Sequence, residues 1–124
     1  MSKTEKYTNN LLNISVVEEN DQIRMHWSGK SIDRKPSIFL TPILIKVLKR
    51  SIDREKRMIL DFCEIEYMNS STITPIIKIL ERARRSKVGV TVEYLANLKW
   101  QELIFSALEI FQTKDQRILI QGNK

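Results

Sequence analysis

MILDFCEIEYMNSSTITPIIKIL, residues 58–80, changes its hydrophobic period halfway along, and the fold depends on that change. Met58 to Phe62 is a nearly continuous apolar run broken only by Asp61, which suits a central strand covered on both faces. Further on, Ile73, Ile76, Ile77, Leu80 and Ala83 mark the buried stripe of a helix, with Lys78, Glu81, Arg82, Arg84 and Arg85 largely off it. Between strand and helix lies Tyr67-Met68-Asn69-Ser70-Ser71-Thr72-Ile73-Thr74-Pro75, which packs four hydroxyl side chains into five positions and ends on a proline. A strand feeding a helix is the repeating unit of a parallel α/β sheet.

The same alternation continues on both sides. Ile14 to Glu18 and Gln22 to Trp27 read as two short strands joined by a polar turn at Asn20-Asp21. In the second, Ile23, Met25 and Trp27 alternate with Gln22, Arg24 and His26, and Gly29 then releases the chain into a polar loop. Thr41-Pro42 reads as a helix start, with Leu44, Val47, Leu48 and Ile52 as its buried side. Val90, Val92 and Tyr94 alternate as a further strand. Asn97 is placed to cap a third helix with the stripe Trp100, Leu103, Ile104, Ala107, Leu108 and Phe111, leaving Phe105 and Ile110 off it. Arg117 to Gln121 closes as a last strand. The expected fold is α/β: a mixed, largely parallel sheet of about five strands, with an N-terminal antiparallel hairpin and three main helices. Residues 1–10 are polar and expected to be a flexible N-terminus, and residues 11–124 to be a single domain. In such sheets the functional crevice lies outside the carboxyl ends of the strands, where the hydroxyl cluster falls.

The chain has 124 residues, 42% hydrophobic and 29% charged, an ordinary globular balance. Its single cysteine, Cys63, fits a reducing compartment. The polar start and the lack of a long apolar run predict a cytoplasmic protein with no membrane partner. A net charge of +6 favours acidic partners without choosing among them.

Catalysis by Ser70 or Ser71 would need a base, and His26, the only histidine, sits on an alternating strand as an expected surface residue. Neither serine lies in a G-x-S-x-G elbow. One histidine and one cysteine without paired spacing build no zinc site, and Glu64 and Glu66 read as loop carboxylates. Gly29, Gly89 and Gly122 are too far apart for a phosphate-cradling loop, so neither metal nor cofactor is expected. A small basic nucleic-acid-binding protein is the alternative reading. It would use Arg82, Arg84, Arg85 and Lys87, or Lys49, Arg50, Arg54, Lys56 and Arg57. Neither cluster is interleaved with aromatics, and cations at helix C-termini complement the macrodipole, which disfavours nucleic acid. Two uses of the hydroxyls stay open. Pro75 belongs in the first helical turn, so Ser71 or Thr72 is the expected cap, while Ser70 on the preceding loop could accept a phosphate.

Ile59-Leu60-Asp61-Phe62, then Tyr67-Met68-Asn69-Ser70-Ser71, then an amphipathic helix, resembles the STAS domain of bacterial anti-sigma factor antagonists. That family usually reads hydrophobic-Asp-Ser-Ser/Thr-Gly at this junction. Trp27-Ser28-Gly29 and the pair formed by Val90–Tyr94 with Trp100–Phe111 fall where the family has matching elements, so the resemblance covers residues 14 to 121. It implies a non-enzymatic switch protein of bacterial signalling. The implied acceptor is Ser70, with Ser71 as second choice, phosphorylated by a serine/threonine kinase of the histidine-kinase-like ATPase fold and restored by a PP2C-type phosphatase. Met68, Asn69, Ser70, Ser71, Thr72 and Thr74 would form the partner-binding surface, and Phe105 and Ile110 would extend it. A downstream regulator is a further implied partner. Asn69 stands where the family has aspartate, so it cannot act as a base. Thr72 stands where it has glycine, so the backbone there should need no positive φ.

Overall fold

In the computed structural model, which describes residues 3–124, six strands form one sheet in the order in which they occur along the chain. β1 (Lys3–Asn9), β2 (Leu12–Glu18) and β3 (Gln22–Ser31) pair antiparallel. β4 (Arg57–Met68), β5 (Val90–Leu95) and β6 (Ile118–Asn123) extend the sheet in parallel from β3. The parallel neighbours are joined by α1 (Pro36–Arg54), α2 (Ile73–Arg84) and α3 (Lys99–Phe105), the last continued by a 3-10 turn over Ser106–Phe111. Successive right-handed crossovers in one direction place every helix on the same face of the sheet. Ile14, Val16, Ile23, Met25, Met58, Leu60, Val90 and Val92 are buried beneath that layer. The opposite face carries Arg24, His26, Asp61 and Glu93.

The sheet gains a strand where a flexible tail was expected. Residues 3–9 pair with β2 along their whole length, and Met1 and Ser2 lie outside the described residues. Lys-Thr-Glu-Lys-Tyr-Thr-Asn looks like a tail because its core-side residues are polar-ended, yet α1 holds both of them. Arg50 donates to Glu5 at 2.8 and 3.3 Å, and Lys46 Nζ donates to the Tyr7 hydroxyl at 3.2 Å. Asn10 supplies the left-handed turn, with φ 55°, between β1 and β2.

Two helix starts differ from expectation. α1 begins at Pro36, six residues before Pro42, which sits inside the helix. The proline-first logic holds, but for the earlier proline. Pro42 leaves the Ile38 carbonyl without an intrahelical donor on a turn that faces water. α3 begins at Lys99 with Leu98 at its N-cap and no side-chain cap from Asn97. The buried side lies about one residue off the expected stripe: Gln101, Phe105 and, in the 3-10 turn that follows, Leu108 point inward at ordinary helical spacing, and Leu103 is exposed. Phe105 therefore belongs to the core. Its ring lies 4.7 Å from Phe62 and 5.7 Å from Tyr94, and Phe62 in turn lies 4.8 Å from Trp27. Ile110 is exposed as expected.

Gly29 remains within β3 and does not end it. At φ +83° it lets β3 bulge against the turn before β2, where a Cβ would fall 2.0 Å from the Leu11 carbonyl oxygen.

Candidate functional site

β4 outruns its neighbour, and that overhang makes the site. Pairing with β5 stops at Asp61–Glu93, whereas pairing with β3 continues to Ser31–Met68. Gln101, fully buried, takes over where β5 leaves off. Its Nε2 donates to the Phe62 and Ile65 carbonyls, both at 3.1 Å, and its Oε1 accepts from the Leu95 N–H at 2.8 Å. The expected stripe runs through Trp100, Leu103 and Ile104 and leaves Gln101 on the water side, so the sequence carried no sign of this role.

At the end of the overhang the backbone N–H of Asn69 donates to the Ser31 carbonyl at 3.0 Å. A 3-10 turn, Ser70–Thr72, then leads into α2. Asn69 is the cap of this turn, where Ser71 or Thr72 was expected. Its Oδ1 accepts from the Thr72 N–H at 3.1 Å and from Thr72 Oγ1 at 2.7 Å, and its Nδ2 donates to the Asp33 carbonyl at 2.7 Å. Having given its one proton to Asn69, the Thr72 hydroxyl accepts from Ser31 Oγ at 2.7 Å. The Pro75 argument placed the cap too late because the extra 3-10 turn precedes α2, leaving proline near the helix start, where its missing N–H is tolerated. Thr72 adopts φ −68°, so no glycine is needed there.

The loop after β3 is fastened to the same corner. Asp33 accepts from the Lys35 N–H at 3.1 Å and from Asn9 Nδ2 at 3.2 Å, and these bonds, the Lys35 one foremost, hold its carboxyl below the usual range. Ser31, Asp33 and Asn9 have no sequence signature that marks them as members of this corner.

The expected contact residues therefore separate into two groups. Met68 and Thr72 are buried, Met68 because its side chain is on the core side of the last strand position and Thr72 because its hydroxyl is held inward. Neither offers a surface to a partner. Ser70, Ser71 and Thr74 are exposed, and Asn69 is half-buried. The hydrogen bonds of the corner run through Asn69, Thr72, Ser31 and Asp33, so the Ser70 and Ser71 hydroxyls face water outside that network.

A second polar cluster lies on the uncovered sheet face. Arg24 Nη1 bridges Asp61 Oδ2 at 2.9 Å and Glu93 Oε1 at 2.8 Å. His26, expected as a solvated surface histidine, stands between carboxylates, with Nδ1 at 3.4 Å from Asp61 and Nε2 at 3.5 Å from Glu64. Burial pushes the Asp61 carboxyl up, but hydrogen bonds from Cys63, His26 and Arg24 outweigh it and leave Asp61 below its ordinary value. Burial, reinforced by the Asp61 charge, raises the Cys63 thiol to about 11. Asp61, Cys63 and Glu93 bring ligand-type atoms within 4.8 Å of one another, a juxtaposition that sequence spacing did not suggest. The guanidinium of Arg24 already bridges the two carboxylates and offsets one of their two charges.

Of the two basic clusters, one is paired within the fold except for the exposed Lys49. Arg50 pairs with Glu5, Arg54 and Lys56 with Glu18, and Arg57 donates to Thr91 Oγ1 and to the Arg117 and Gln116 carbonyls. Arg82, Arg84, Arg85 and Lys87 are exposed. Among the described residues no helix is long and apolar enough to cross a membrane.

No protein-family profile matches the chain, and no curated protein sequence matches it. A solved structure does match: a protein of the DUF3478 family with a SpoIIAA-like fold from Shewanella loihica PV-4. It is 15% identical and has a TM-score of 0.52 over 94% of this chain and 92% of that one. The chain has this SpoIIAA-like architecture, which is the STAS fold of anti-sigma factor antagonists.

Proposed function

We propose that the protein is a non-enzymatic, phosphorylation-controlled protein–protein switch of bacterial signalling, acting in the cytoplasm. Ser70 is the acceptor for a partner serine kinase of the histidine-kinase-like ATPase fold, and a PP2C-type phosphatase reverses the modification. The observation that carries this reading is the division of labour at the corner. Asn69 and Thr72 hold the backbone, while the neighbouring Ser70 hydroxyl is exposed at the start of the turn into α2. A phosphate there adds about −1.5 to −2 charges beside the free N–H groups of a helix start. The modified surface then repels an acidic partner and exacts a desolvation penalty on contact. Asn69, Ser70, Ser71 and Thr74 form the exposed part of the docking surface.

The test is capture of the cognate regulator by the wild type, Ser70→Ala and Ser70→Asp, combined with phosphopeptide mapping after incubation with the kinase and ATP. Alanine should retain the partner and aspartate should lose it. Phosphate on Ser71 alone, or on neither serine, overturns the Ser70 assignment.

A further inference from the structure

Three isoleucines of α1, Ile38, Ile45 and Ile52, are seven residues apart and so occupy one stripe of that helix. Core positions of α1 are elsewhere, at Leu40, Ile43, Leu44, Val47 and Leu48. Ile38 is 76% exposed and Ile52 42% exposed, while Ile45 is half-buried. An exposed isoleucine by itself means little, but a seven-residue repeat of them along a helix is the pattern that a second helix reads.

Ile45, the middle of the stripe, lines a cleft of about 120 Å³ between α1 and α2, and Ile38 and Ile52 continue the stripe one heptad beyond it on either side. Thr41, Leu44 and Ile45 form one wall, and Pro75 and Ile79 contribute to the other. Lys78 and Arg82 stand on the α2 side, both exposed, and Lys49 is exposed on α1 between Ile45 and Ile52. No acidic residue lines the cleft. From Ile38 to Ile52 the stripe is about 21 Å long at the helical rise of about 1.5 Å per residue, which matches about four turns of a partner helix.

The geometry points to the α1–α2 groove as the docking site for an acidic amphipathic helix of a partner protein. Its apolar side would lie on Ile38, Ile45 and Ile52, and its carboxylates would face Lys49, Lys78 and Arg82. The basic rim selects this occupant over a second copy of the chain, whose own rim would bring like charges together. This inference rests on the switch reading and specifies the partner. α1 and α2 cross over between parallel strands and so run in the same direction, which puts the Thr41–Pro75 end of the groove beside the turn that carries Ser70. A phosphate on Ser70 therefore adds negative charge at one end of a surface built for an acidic helix.

The probe is a labelled 21-residue helical peptide with leucine at the a and d positions of a seven-residue repeat and glutamate at e and g. A control peptide carries lysine in place of glutamate. Fluorescence anisotropy should show saturable binding of the acidic peptide and at least tenfold weaker binding of the basic one. Ile38→Glu, Ile52→Glu and the double variant Lys78→Glu/Arg82→Glu should each weaken the acidic peptide at least tenfold. All of these positions are exposed, and circular dichroism checks that each variant is folded. Amide shift mapping on the wild type should place the perturbation along α1 and α2. No binding of the acidic peptide, or binding indifferent to these substitutions, overturns the proposal. A dimer in sedimentation that Ile38→Glu dissociates overturns it in favour of a second copy. Peptide binding equal in the wild type and Ser70→Asp leaves the groove and refutes its control by Ser70. Phosphorylation of Ser70 without peptide binding does the reverse.

Discussion

Replacing Asn69 separates the capping role from the charge at this position. Asn69→Ala removes the acceptor for the Thr72 N–H and hydroxyl and the donor to the Asp33 carbonyl. Loss of a cap costs about 1 kcal/mol, and each remaining hydrogen bond contributes about 0.5–1.5 kcal/mol. Because the Thr72 hydroxyl keeps its bond to Ser31, the expected loss is about 2–3 kcal/mol. Asn69→Asp is the sharper comparison. A carboxylate keeps both acceptor contacts with Thr72 and gains about 0.3–1 kcal/mol from the helix start. It cannot donate to Asp33, however, and would put a charged oxygen where an amide nitrogen now lies 2.7 Å from a carbonyl oxygen. The expected result is a net loss of about 1 kcal/mol, with aspartate between alanine and the wild type. Urea unfolding followed by tryptophan fluorescence measures both changes, provided that the m-value stays constant. An Asn69→Asp protein as stable as the wild type, or more so, would refute the argument that the donor to Asp33 selects asparagine here.

The other predictions concern the rest of the frame. Gly29→Ala should lose about 2–3 kcal/mol, since the residue sits at φ +83° with its new Cβ on the Leu11 carbonyl, and a melting temperature within 2 °C of the wild type would contradict this. Hydrogen bonds from Arg54 and then Lys56 lower the Glu18 carboxyl from 4.5 to about 2. Its contribution is therefore complete above about pH 4.5 and disappears as the pH falls toward 2. Glu18→Gln should be less stable than the wild type by about 1 kcal/mol near neutral pH, with the gap closing across that window, because Arg54 is half-exposed and solvent screens the pair. A gap independent of pH would assign the effect to packing. Ser70→Asp should leave stability unchanged or raise it by about 0.3–1 kcal/mol, and a loss above about 1 kcal/mol would mean that the Ser70 hydroxyl helps hold the corner.

The order of strands and helices was legible because each period is local. Ile23, Met25 and Trp27 alternate over five residues, and Ile73, Ile76, Ile77 and Leu80 repeat within two turns, so no distant partner is needed to read them. The features that escaped depend on neighbours. β1 looks like a tail until Arg50 and Lys46 of α1 are placed beside Glu5 and Tyr7. Phe105 looks exposed beside the stripe of Trp100, Leu103 and Ile104, and is buried because the Phe62 and Ile65 carbonyls hold Gln101, four residues earlier on the same helix face, against the sheet. At the site, the exposure of Ser70 followed from a helix start placed by Pro75, although that start was set too late and Ser71, expected as a possible cap, is exposed as well. The identity of the cap did not follow, because Asn69 is chosen by the Asp33 carbonyl 36 positions away. Arg24, Asp61 and Glu93 come from three separate strands and meet only through the sheet register.

The register also limits how a modification at Ser70 can act. The corner joins β3, β4, the loop before α1 and the start of α2 through side chains other than Ser70, and Gln101 secures the overhang from below. A phosphate on Ser70 displaces none of those bonds, and the free N–H groups of the helix start favour its charge. Refolding of the corner is therefore not the expected response. The modified protein should keep its backbone and present an altered surface potential, so its effect on a partner depends on the partner's own charge. A basic or neutral partner would be held or ignored, whereas an acidic one would be released. The exposed cations along the α1–α2 cleft fit the acidic case, because they attract such a partner before modification and leave it vulnerable to the added charge afterwards.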